Sequence, residues 1–211
     1  MNALVGAAGR RFARLAARAV VARPGLWPLF RRPLRAQFDA LAPEWHGIMG
    51  PEALAPLAAA LDRLESPPAR VLDVGTGTGK AAGLVAGRFR AAEVVGVDLS
   101  PAMVAEARRL APSALAGRVR FEVGDASALP FADEAFDLVV LLNMIPFFRE
   151  LARLTAPGGA VVIAHVSGPS TPIWTSPEAL RSHLAPLGFE DFEELAAGSG
   201  TAVLARKGER E

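Results

Sequence analysis

The stretch Val71-Leu72-Asp73-Val74-Gly75-Thr76-Gly77-Thr78-Gly79 decides the fold of this chain. Its first four residues form a short, mostly apolar run, which predicts a buried strand. The glycines that follow let the backbone turn sharply and approach a ligand closely. A helix is predicted directly afterwards, over 80–89. A strand, a glycine turn and a helix in this order are typical of parallel α/β sheets, which bind ligands beyond the carboxyl ends of their strands.

Strands and helices continue to alternate after this unit. Further strands are predicted at 94–97, 119–123, 136–142 and 160–166, and further helices at 101–110, 147–154 and 177–187. Two late strands, 190–196 and 201–206, flank Ala197-Gly198-Ser199-Gly200 and predict a hairpin. The pattern predicts an α/β fold: a doubly wound, mainly parallel seven-stranded sheet with a C-terminal β-hairpin, plus an α-helical N-terminal extension. The hairpin would add one antiparallel strand.

The extension is predicted to begin with a helix over 1–23, which Pro24 and Gly25 end. Its predicted apolar stripe consists of Leu4, Val5, Ala8, Phe12, Leu15 and Ala19, and Arg10, Arg11, Arg14 and Arg18 lie beside it. Residues 24–50 are predicted to be irregular because they contain several prolines, and a short helix is predicted over 52–64. We therefore divide the chain into a helical, Arg-rich extension or lid (1–66), a main domain (67–207) and a tail (208–211).

Composition excludes several classes of protein. The 211 residues are 51% hydrophobic, so a large core can form. The chain contains no Cys, which excludes a disulfide scaffold, a thiolate zinc site and a cysteine nucleophile. Three widely spaced His predict no metal centre. No apolar run reaches the roughly 18 residues of a membrane span, so a cytoplasmic location is expected.

Charge is distributed unevenly along the chain. Residues 1–38 carry eight Arg and no acid, whereas the rest carries 15 basic and 22 acidic side chains. We expect residues 1–23 to pack their apolar stripe on the main domain. Peripheral contact with a membrane surface, or with an acidic partner, is the alternative for the same segment.

The glycine turn departs from two known nucleotide motifs. The dinucleotide fingerprint needs a third Gly where Lys80 stands, and the phosphate-binding loop needs Ser or Thr where Ala81 stands. Asp98, at the end of the second strand and 25 residues after Asp73, is in the range expected for ribose recognition. Asp125 follows the third strand in a similar position. A single Asp near the end of a strand is usually a solvated turn residue, but three in register near the ends of three strands indicate a binding site.

These motifs resemble those of the class I S-adenosylmethionine-dependent methyltransferases over about residues 68–207. The similar segments are VLDVGTGTG (71–79), VVGVDLSPAMVAEAR (94–108), VRFEVGDASALPF (119–131), FDLVVLLN (136–143) and LTAPGG (154–159). The resemblance implies S-adenosyl-L-methionine as cofactor and the main domain as its binding domain. Many relatives have Tyr where Phe38 precedes Asp39, so one hydroxyl contact to the cofactor is absent here.

The resemblance also implies a role for individual residues. The methionine part of the cofactor would lie beside Asp73, Gly75, Thr76, Gly77 and Gly79. Asp98 would bind the ribose hydroxyls, and the adenine would pack near Leu99 and Met103, with its amino edge bound by Asp125 and Ala126. Asn143 would face the reacting methyl group.

Methyl transfer from a sulfonium is an in-line displacement, so a base is needed only where the acceptor must lose a proton. His165 is the first candidate for that base, ahead of His46 and His183. An apolar acceptor pocket is predicted from Trp45, Met49, Phe147, Phe148 and Trp174.

The predicted function is methyl transfer to a small, largely apolar molecule. Asn143-Met144-Ile145-Pro146 does not match the tetrad of adenine and glutamine methylators, and nucleic acid is therefore a disfavoured partner. Two alternatives stay open: a non-catalytic cofactor-binding or interaction protein of the same fold, and a nucleic-acid methyltransferase that uses the basic arm as an anchor. The oligomeric state is not predicted.

Overall fold

A computed structural model describes residues 6–209 of the chain. A seven-stranded sheet with the order β3-β2-β1-β4-β5-β7-β6 forms its centre, and β7 runs antiparallel to both of its neighbours. The strands are β1 Arg70–Val74, β2 Glu93–Asp98, β3 Val119–Val123, β4 Phe136–Leu142, β5 Thr155–His165, β6 Phe189–Ala197 and β7 Gly200–Lys207. The helices are α1 Ala7–Ala22, α2 Trp27–Ile48, α3 Ala55–Leu61, α4 Lys80–Arg88, α5 Pro101–Leu110, α6 Phe148–Leu154 and α7 Pro177–Leu184. The predicted fold class is confirmed.

The strand order reverses between β1 and β4, at the centre of the sheet. β1 pairs in parallel with β2 on one side and with β4 on the other. Connections leave β1 and β4 towards opposite sides of such a sheet, which opens a crevice at the carboxyl ends of the two strands. The glycine turn after β1 and Asn143 after β4 therefore lie at the same edge.

Two serines begin helices as the sequence predicts. The Ser100 hydroxyl accepts a hydrogen bond from the Met103 N–H at 3.1 Å, and the Ser176 hydroxyl accepts one from the Ala179 N–H at 3.2 Å. A proline follows each serine at the first helical position, where its missing N–H costs nothing. α5 consequently has its predicted bounds.

The prediction that 24–50 is irregular is wrong, because α2 covers most of this segment. Pro28 lies in the first turn, where proline is tolerated, but Pro33 and Pro43 lie inside the helix. The side chains that face the protein share a spacing of three, four or seven residues and are Trp27, Leu34, Phe38, Leu41 and Trp45. Burial of this apolar side outweighs the backbone hydrogen bonds that the prolines remove.

The predicted helix over 1–23 is confirmed for its described part, but its predicted apolar stripe is correct only at Phe12 and Ala19, which are half-buried. The buried side of α1 consists of Ala13, Ala16, Ala17 and Val20. Ala8 is exposed and Leu15 is 60% exposed. The buried side is rotated by about a third of a turn from the predicted one, because small alanines let α1 approach the protein closely. Leu4 and Val5 lie outside the described residues.

Three further elements have a boundary that differs from the prediction by three residues or more. The predicted helix over 52–64 is a 3-10 turn, Pro51–Leu54, followed by α3. β5 begins at Thr155 rather than near 160, because Thr155 pairs with Phe136 directly after α6. The helix predicted over 177–187 ends at Leu184 and continues as a 3-10 turn, Ala185–Leu187.

Candidate cofactor and acceptor site

The glycine turn after β1 has a backbone that side chains rarely allow. Gly75, Gly77 and Gly79 have φ angles of +74°, +53° and +82°. The N–H groups of Gly75 and Thr76 both donate to the Val97 carbonyl oxygen, at 2.8 and 2.9 Å. These bonds hold the turn against the end of β2, so the glycines are required by conformation as well as by space.

Asp73 stabilises this turn through hydrogen bonds to its side chain. Its side chain is buried, at 1% exposure, and its Oδ2 accepts hydrogen bonds from the Thr76 hydroxyl at 2.6 Å and from the Ala82 N–H at 3.0 Å. Burial raises the pKa of Asp73 to about 7. Its second oxygen, Oδ1, is buried without a hydrogen-bond partner among residues 6–209. The carboxylate therefore retains unused capacity to accept a hydrogen bond or to face a cation.

Asp98 connects the end of β2 to the same turn. Its Oδ2 accepts a hydrogen bond from the Gly77 N–H and its Oδ1 accepts one from the Ser100 N–H, both at 2.9 Å. Burial raises the pKa of Asp98. The side chain lines the central cleft, in agreement with its predicted ribose-binding position, and it has the additional role of fixing Gly77.

Phe121 supports the turn, and the sequence analysis missed it. A Cβ at Gly79 would lie 2.8 Å from the Phe121 ring, and a Cβ at Gly96 would lie 2.7 Å from it. Gly96 and Phe121 are register partners in β2 and β3. A glycine inside a strand beside a large aromatic in the next strand is a detectable signal of such close packing.

Helix α2 crosses the edge of the sheet and is fastened to the loops after β1, β2 and β3. At β3, the Trp27 indole N–H donates to Asp125 Oδ1 at 2.8 Å, and Arg31 lies 3.6 Å from Asp125 Oδ2. The Asp125 carboxylate, predicted to read the adenine, is thus held by α2, and the cleft is lined instead by its neighbours Gly124 and Ala126.

The remaining attachments of α2 involve the other two loops. The Ser100 hydroxyl donates to Asp39 at 2.6 Å, His46 Nδ1 lies 3.2 Å from the Thr78 hydroxyl, and the Lys80 ammonium donates to the Met49 carbonyl oxygen. Burial, and then the charge of Lys80, lower the pKa of His46. We call α2 the cover helix because it bridges all three loops.

The cleft beneath the cover helix is narrow, about 90 Å³. Trp45 is one cause, since its Nε1 lies 3.1 Å from the position of a Cβ at Gly77. Met144 is another, since its sulfur lies 2.8 Å from the corresponding position at Gly75. The other lining residues include Trp27, Leu34, Phe38, Lys80, Val97, Ile145 and Ile173. In this form of the protein, α2 and Met144 lie close against the glycine turn.

A second cavity of about 250 Å³ adjoins the cleft, and we call it the acceptor chamber. It lies among α1, α2 and the segment after β5. Both cavities are lined by Phe38, Trp45, Met49, Asn143 and Ile173. Asn143 has a φ of +55°, a conformation that Asn tolerates better than most residues, and its Oδ1 accepts a hydrogen bond from the Val166 N–H at 3.0 Å. The junction of the two cavities is the place where a donor and an acceptor can meet.

The predicted site residues divide into two groups. Those that line the cleft are Gly75, Thr76, Gly77, Asp98, Leu99, Met103, Ala126 and Asn143, together with Trp45 and Met49. Those absent from the walls of both cavities are Asp73, Gly79, Asp125, His165, Phe147, Phe148 and Trp174. Phe147 packs edge-on against the Trp27 ring, and Phe148 stacks on His183. Phe147, Phe148 and Trp174 thus line neither of the two cavities.

His165 lies at the end of β5 but does not reach the cleft. Its side chain is 2% exposed, and burial lowers its pKa to about 4. A buried neutral imidazole outside both walls is not positioned to take a proton from an acceptor, so the structure does not support it as the base. Within residues 6–209, no group of His, Cys, Asp and Glu could hold a metal ion.

Comparisons with known proteins agree with this architecture. The profile of the Methyltransferase domain family matches residues 71–159. The malonyl-(acyl-carrier protein) O-methyltransferase of Halorhodospira halophila is 39% identical over 150 residues, which are 67% of this chain and 50% of that protein. The demethylmenaquinone methyltransferase of Thermus thermophilus is 44% identical over 113 residues, 50% of this chain and 51% of that protein. The chain thus spans about half the length of these relatives.

A solved structure shows the same fold. Phosphoethanolamine N-methyltransferase 2 of Haemonchus contortus, in complex with S-adenosyl-L-methionine, superposes with a TM-score of 0.66 at 20% identity, covering 81% of this chain and 57% of that chain. The family profile, the relatives and the ordered motifs after β1, β2, β3 and β4 agree with one another. Residues 71–159 therefore form a methyltransferase domain of the class I S-adenosylmethionine-dependent type.

Proposed function

We propose that this chain moves a methyl group from S-adenosyl-L-methionine to a small, largely apolar acceptor by in-line displacement. The observation that carries the proposal is the junction of the cleft with the acceptor chamber at Asn143. Relatives named for malonyl-(acyl-carrier protein) and for demethylmenaquinone support a small acceptor. We keep 1–66 as extension and lid, 67–207 as cofactor domain and 208–211 as tail within this proposal.

The residues at the cleft fit the cofactor. Asp73 lies behind the glycine turn rather than in the cleft wall, and its buried oxygen without a partner among the described residues suits the cationic methionine end on the other side of the turn. Gly75 and Gly77 offer a surface on which a side chain would occupy the ligand's space. Asp98 is the acceptor for the ribose hydroxyls, while Leu99 and Met103 provide an apolar wall for the adenine.

When bound, the cofactor supplies a methyl group already activated by its sulfonium. The protein's part is to align the acceptor and to exclude water, which can account for most of the acceleration of such a displacement. Trp45 of the cover helix and Met49, the residue directly after it, line both cavities, so the end of α2 covers the junction from outside. Asn143 stands at the junction and can orient a polar atom of the acceptor.

The acceptor chamber has an apolar wall with few polar groups. Its described polar lining residues are Arg10, Gln37, Asn143 and Thr171, which can all donate hydrogen bonds. None of the chamber residues that the structure describes is His, Asp or Glu. We therefore favour an acceptor atom that is nucleophilic as bound, such as a carboxylate oxygen or a resonance-stabilised anion, and that needs no side-chain base.

The proposal is tested in two steps. Calorimetric titration with S-adenosyl-L-methionine measures binding, and transfer of a radiolabelled methyl group to demethylmenaquinone or to malonyl thioesters measures activity. Binding with no transfer to any small acceptor would favour the non-catalytic alternative. Transfer to oligonucleotides alone would favour the nucleic-acid alternative, which the acidic main domain opposes.

Replacement of Asp98 tests the cofactor site directly. Asp98→Ala removes the ribose acceptor and leaves the Gly77 N–H unpaired, so we expect cofactor affinity to fall by about 1.5–3 kcal/mol, or roughly 10- to 150-fold. Calorimetry measures the change. Asp62→Ala is the matched control, because Asp62 is exposed and pairs only with Arg88 at 2.5 Å. Equal affinities for the two variants would assign Asp98 a purely structural role.

Removal of α1 tests whether the two cavities have different roles. Residues of α1 line the acceptor chamber, through Gly9, Arg10 and Ala13, but none of them lines the cleft. A chain that begins at Pro24 should bind S-adenosyl-L-methionine within about threefold of the full chain, yet lose transfer to a water-soluble acceptor. Calorimetry and a methyl-transfer assay without detergent measure both properties, with circular dichroism as the folding control. Full turnover in the shortened chain would contradict an acceptor chamber walled by α1.

A further inference from the structure

The outer surface of α1 and α2 combines exposed leucines with arginines. Of the four large hydrophobic side chains that are exposed in the described part of the chain, Leu15, Leu29 and Ile48 lie on these two helices, and only Val123 lies elsewhere. Leu15 is 60% and Leu29 is 70% exposed. Exposed leucines of this kind, clustered on one layer, indicate a surface that contacts something other than water.

The two leucines lie on helices that contact each other. The rings of Phe12 on α1 and Phe30 on α2 lie 6.1 Å apart and join the helices. Leu15 follows Phe12 by three residues, and Leu29 directly precedes Phe30. A row of exposed, uncharged residues continues from Leu29 along the outside of α2, at alternate spacings of four and three. These residues are Pro33, Ala36, Ala40, Pro43 and Gly47.

Arginines surround these leucines. On α1, Arg11 and Arg18 stand four residues before and three residues after Leu15, and they therefore flank it on the helix surface. On α2, Arg32 stands three residues after Leu29. Between residues 6 and 209, none of these three arginines forms an ion pair with a carboxylate. The first acidic residue of the chain is Asp39.

We propose that this surface, defined by Leu15 and Leu29 with Arg11, Arg18 and Arg32, docks on an anionic lipid bilayer. The arginines match the negative headgroups, and the leucines enter the interface between headgroups and acyl chains. A nucleic acid would satisfy the arginines but would leave the leucines in water. A second copy of the surface would place arginines against arginines. No helix in the described residues is long and apolar enough to cross the membrane, so contact is confined to the surface.

Docking would also place the acceptor chamber next to the lipid. The chamber is walled by the inner sides of the same helices, through Ala13 of α1 and Leu41 of α2. An apolar acceptor dissolved in the bilayer would then have a short path to the site. The docking itself does not depend on methyl transfer, so its test is independent of the proposed function.

Vesicle flotation of the full chain tests the proposal. We expect the protein to float with vesicles of phosphatidylcholine containing one third phosphatidylglycerol, to stay behind with phosphatidylcholine alone, and to detach in high salt. Each arginine near such a surface is worth about fivefold in affinity, so the double variant Arg11→Gln/Arg32→Gln should bind roughly 30-fold more weakly. The variant Leu15→Ser/Leu29→Ser should also lose binding, although its charge is unchanged.

Matched variants on other surfaces provide the controls. Arg90→Gln/Arg149→Gln makes the same change of charge at two exposed arginines outside α1 and α2, and Val123→Ser removes the exposed hydrophobic side chain on β3. Both should float like the unchanged protein. The proposal is overturned if the full chain ignores anionic vesicles at low salt, if the controls lose binding equally, or if duplex DNA binds the protein as tightly and the leucine variant binds it unchanged. It is also overturned if light scattering shows a dimer that the leucine variant dissociates.

Discussion

Gly77→Val is expected to abolish binding of S-adenosyl-L-methionine, with a loss of at least about 100-fold. Gly77 has a φ of +53°, which a β-branched residue adopts only with strain. Its Cβ would lie 3.1 Å from Trp45 Nε1, before the two methyl groups of valine are added. The side chain would fill the surface on which we place the methionine end of the cofactor. Calorimetry measures the affinity, and thermal unfolding shows whether the variant is folded.

A second glycine provides the control for this experiment. Gly83 lies inside α4, and a Cβ there would meet nothing within 4 Å. Gly83→Ala should retain cofactor affinity and raise the free energy of unfolding by about 0.5–1 kcal/mol, because alanine favours the helix. If the folded Gly77→Val protein bound the cofactor within threefold of normal, the assignment of the glycine turn to the cofactor would be wrong.

Asp73→Asn is expected to stabilise the protein at pH 8 while weakening cofactor binding at least 10-fold. The pKa of Asp73 is raised from 3.8 to about 7 by burial, so the folded state binds more protons than the unfolded state between these values. The contribution of Asp73 to the free energy of unfolding therefore falls as the pH rises from about 4 to 7. The shift of about three units corresponds to at most about 4 kcal/mol, and Asn removes this pH dependence because it carries no charge.

Urea unfolding at pH 5 and pH 8 measures the effect on stability. Asn can still accept the hydrogen bonds from Thr76 and Ala82, but it no longer offers a negative charge to the cofactor. Asp137→Asn is the control, because the pKa of Asp137 is shifted in the opposite direction. Partial burial tends to raise this pKa, but hydrogen bonds donated by Arg70 and Ala69 outweigh burial and lower it. The stability that Asp137 contributes is present at pH 5 and at pH 8 and is lost only at more acid pH, so this variant should lower both values equally. Because burial lowers the pKa of His165 to about 4, that group has the opposite effect on wild-type stability over part of this range, so the test is the difference between the variant and the wild type. A difference that is the same at pH 5 and at pH 8 would contradict the raised pKa of Asp73.

The sheet could be predicted because its signals are local. β3 and β4 have their predicted bounds, since β3 alternates apolar and charged residues, β4 is a largely apolar run, and both are bounded by turn residues. α5 was predictable from Ser100 and Pro101 alone. α2 could not be predicted in this way. The destabilising effect of its internal prolines is visible in the sequence, whereas the stabilisation from burying Trp27, Leu34 and Trp45 arises only once the sheet has formed.

The site was predictable to the extent that it follows strand ends. Asp98 and Asn143 line the cleft because the carboxyl end of each parallel strand reaches the same edge. The aromatic residues were a different matter: Trp45 and Phe147 have similar side chains, yet one lies at the junction of the cavities and the other packs behind Trp27. Nor does any sequence rule place the Trp27 indole on Asp125, since the two residues are 98 positions apart.

The tryptophan fluorescence of the protein reports mainly on the cover helix. The chain has three Trp and no Tyr, and two of the three indoles, Trp27 and Trp45, are on α2 in the wall of the cleft. One indole donates to a carboxylate and the other rests against Gly77, so their emission depends on whether the helix is seated. Trp174 lies in neither wall and supplies a constant background. Any movement of α2 away from the cleft can thus be followed in an unlabelled protein by stopped-flow fluorescence, and Trp27→Phe or Trp45→Phe isolates the signal from each end of the helix.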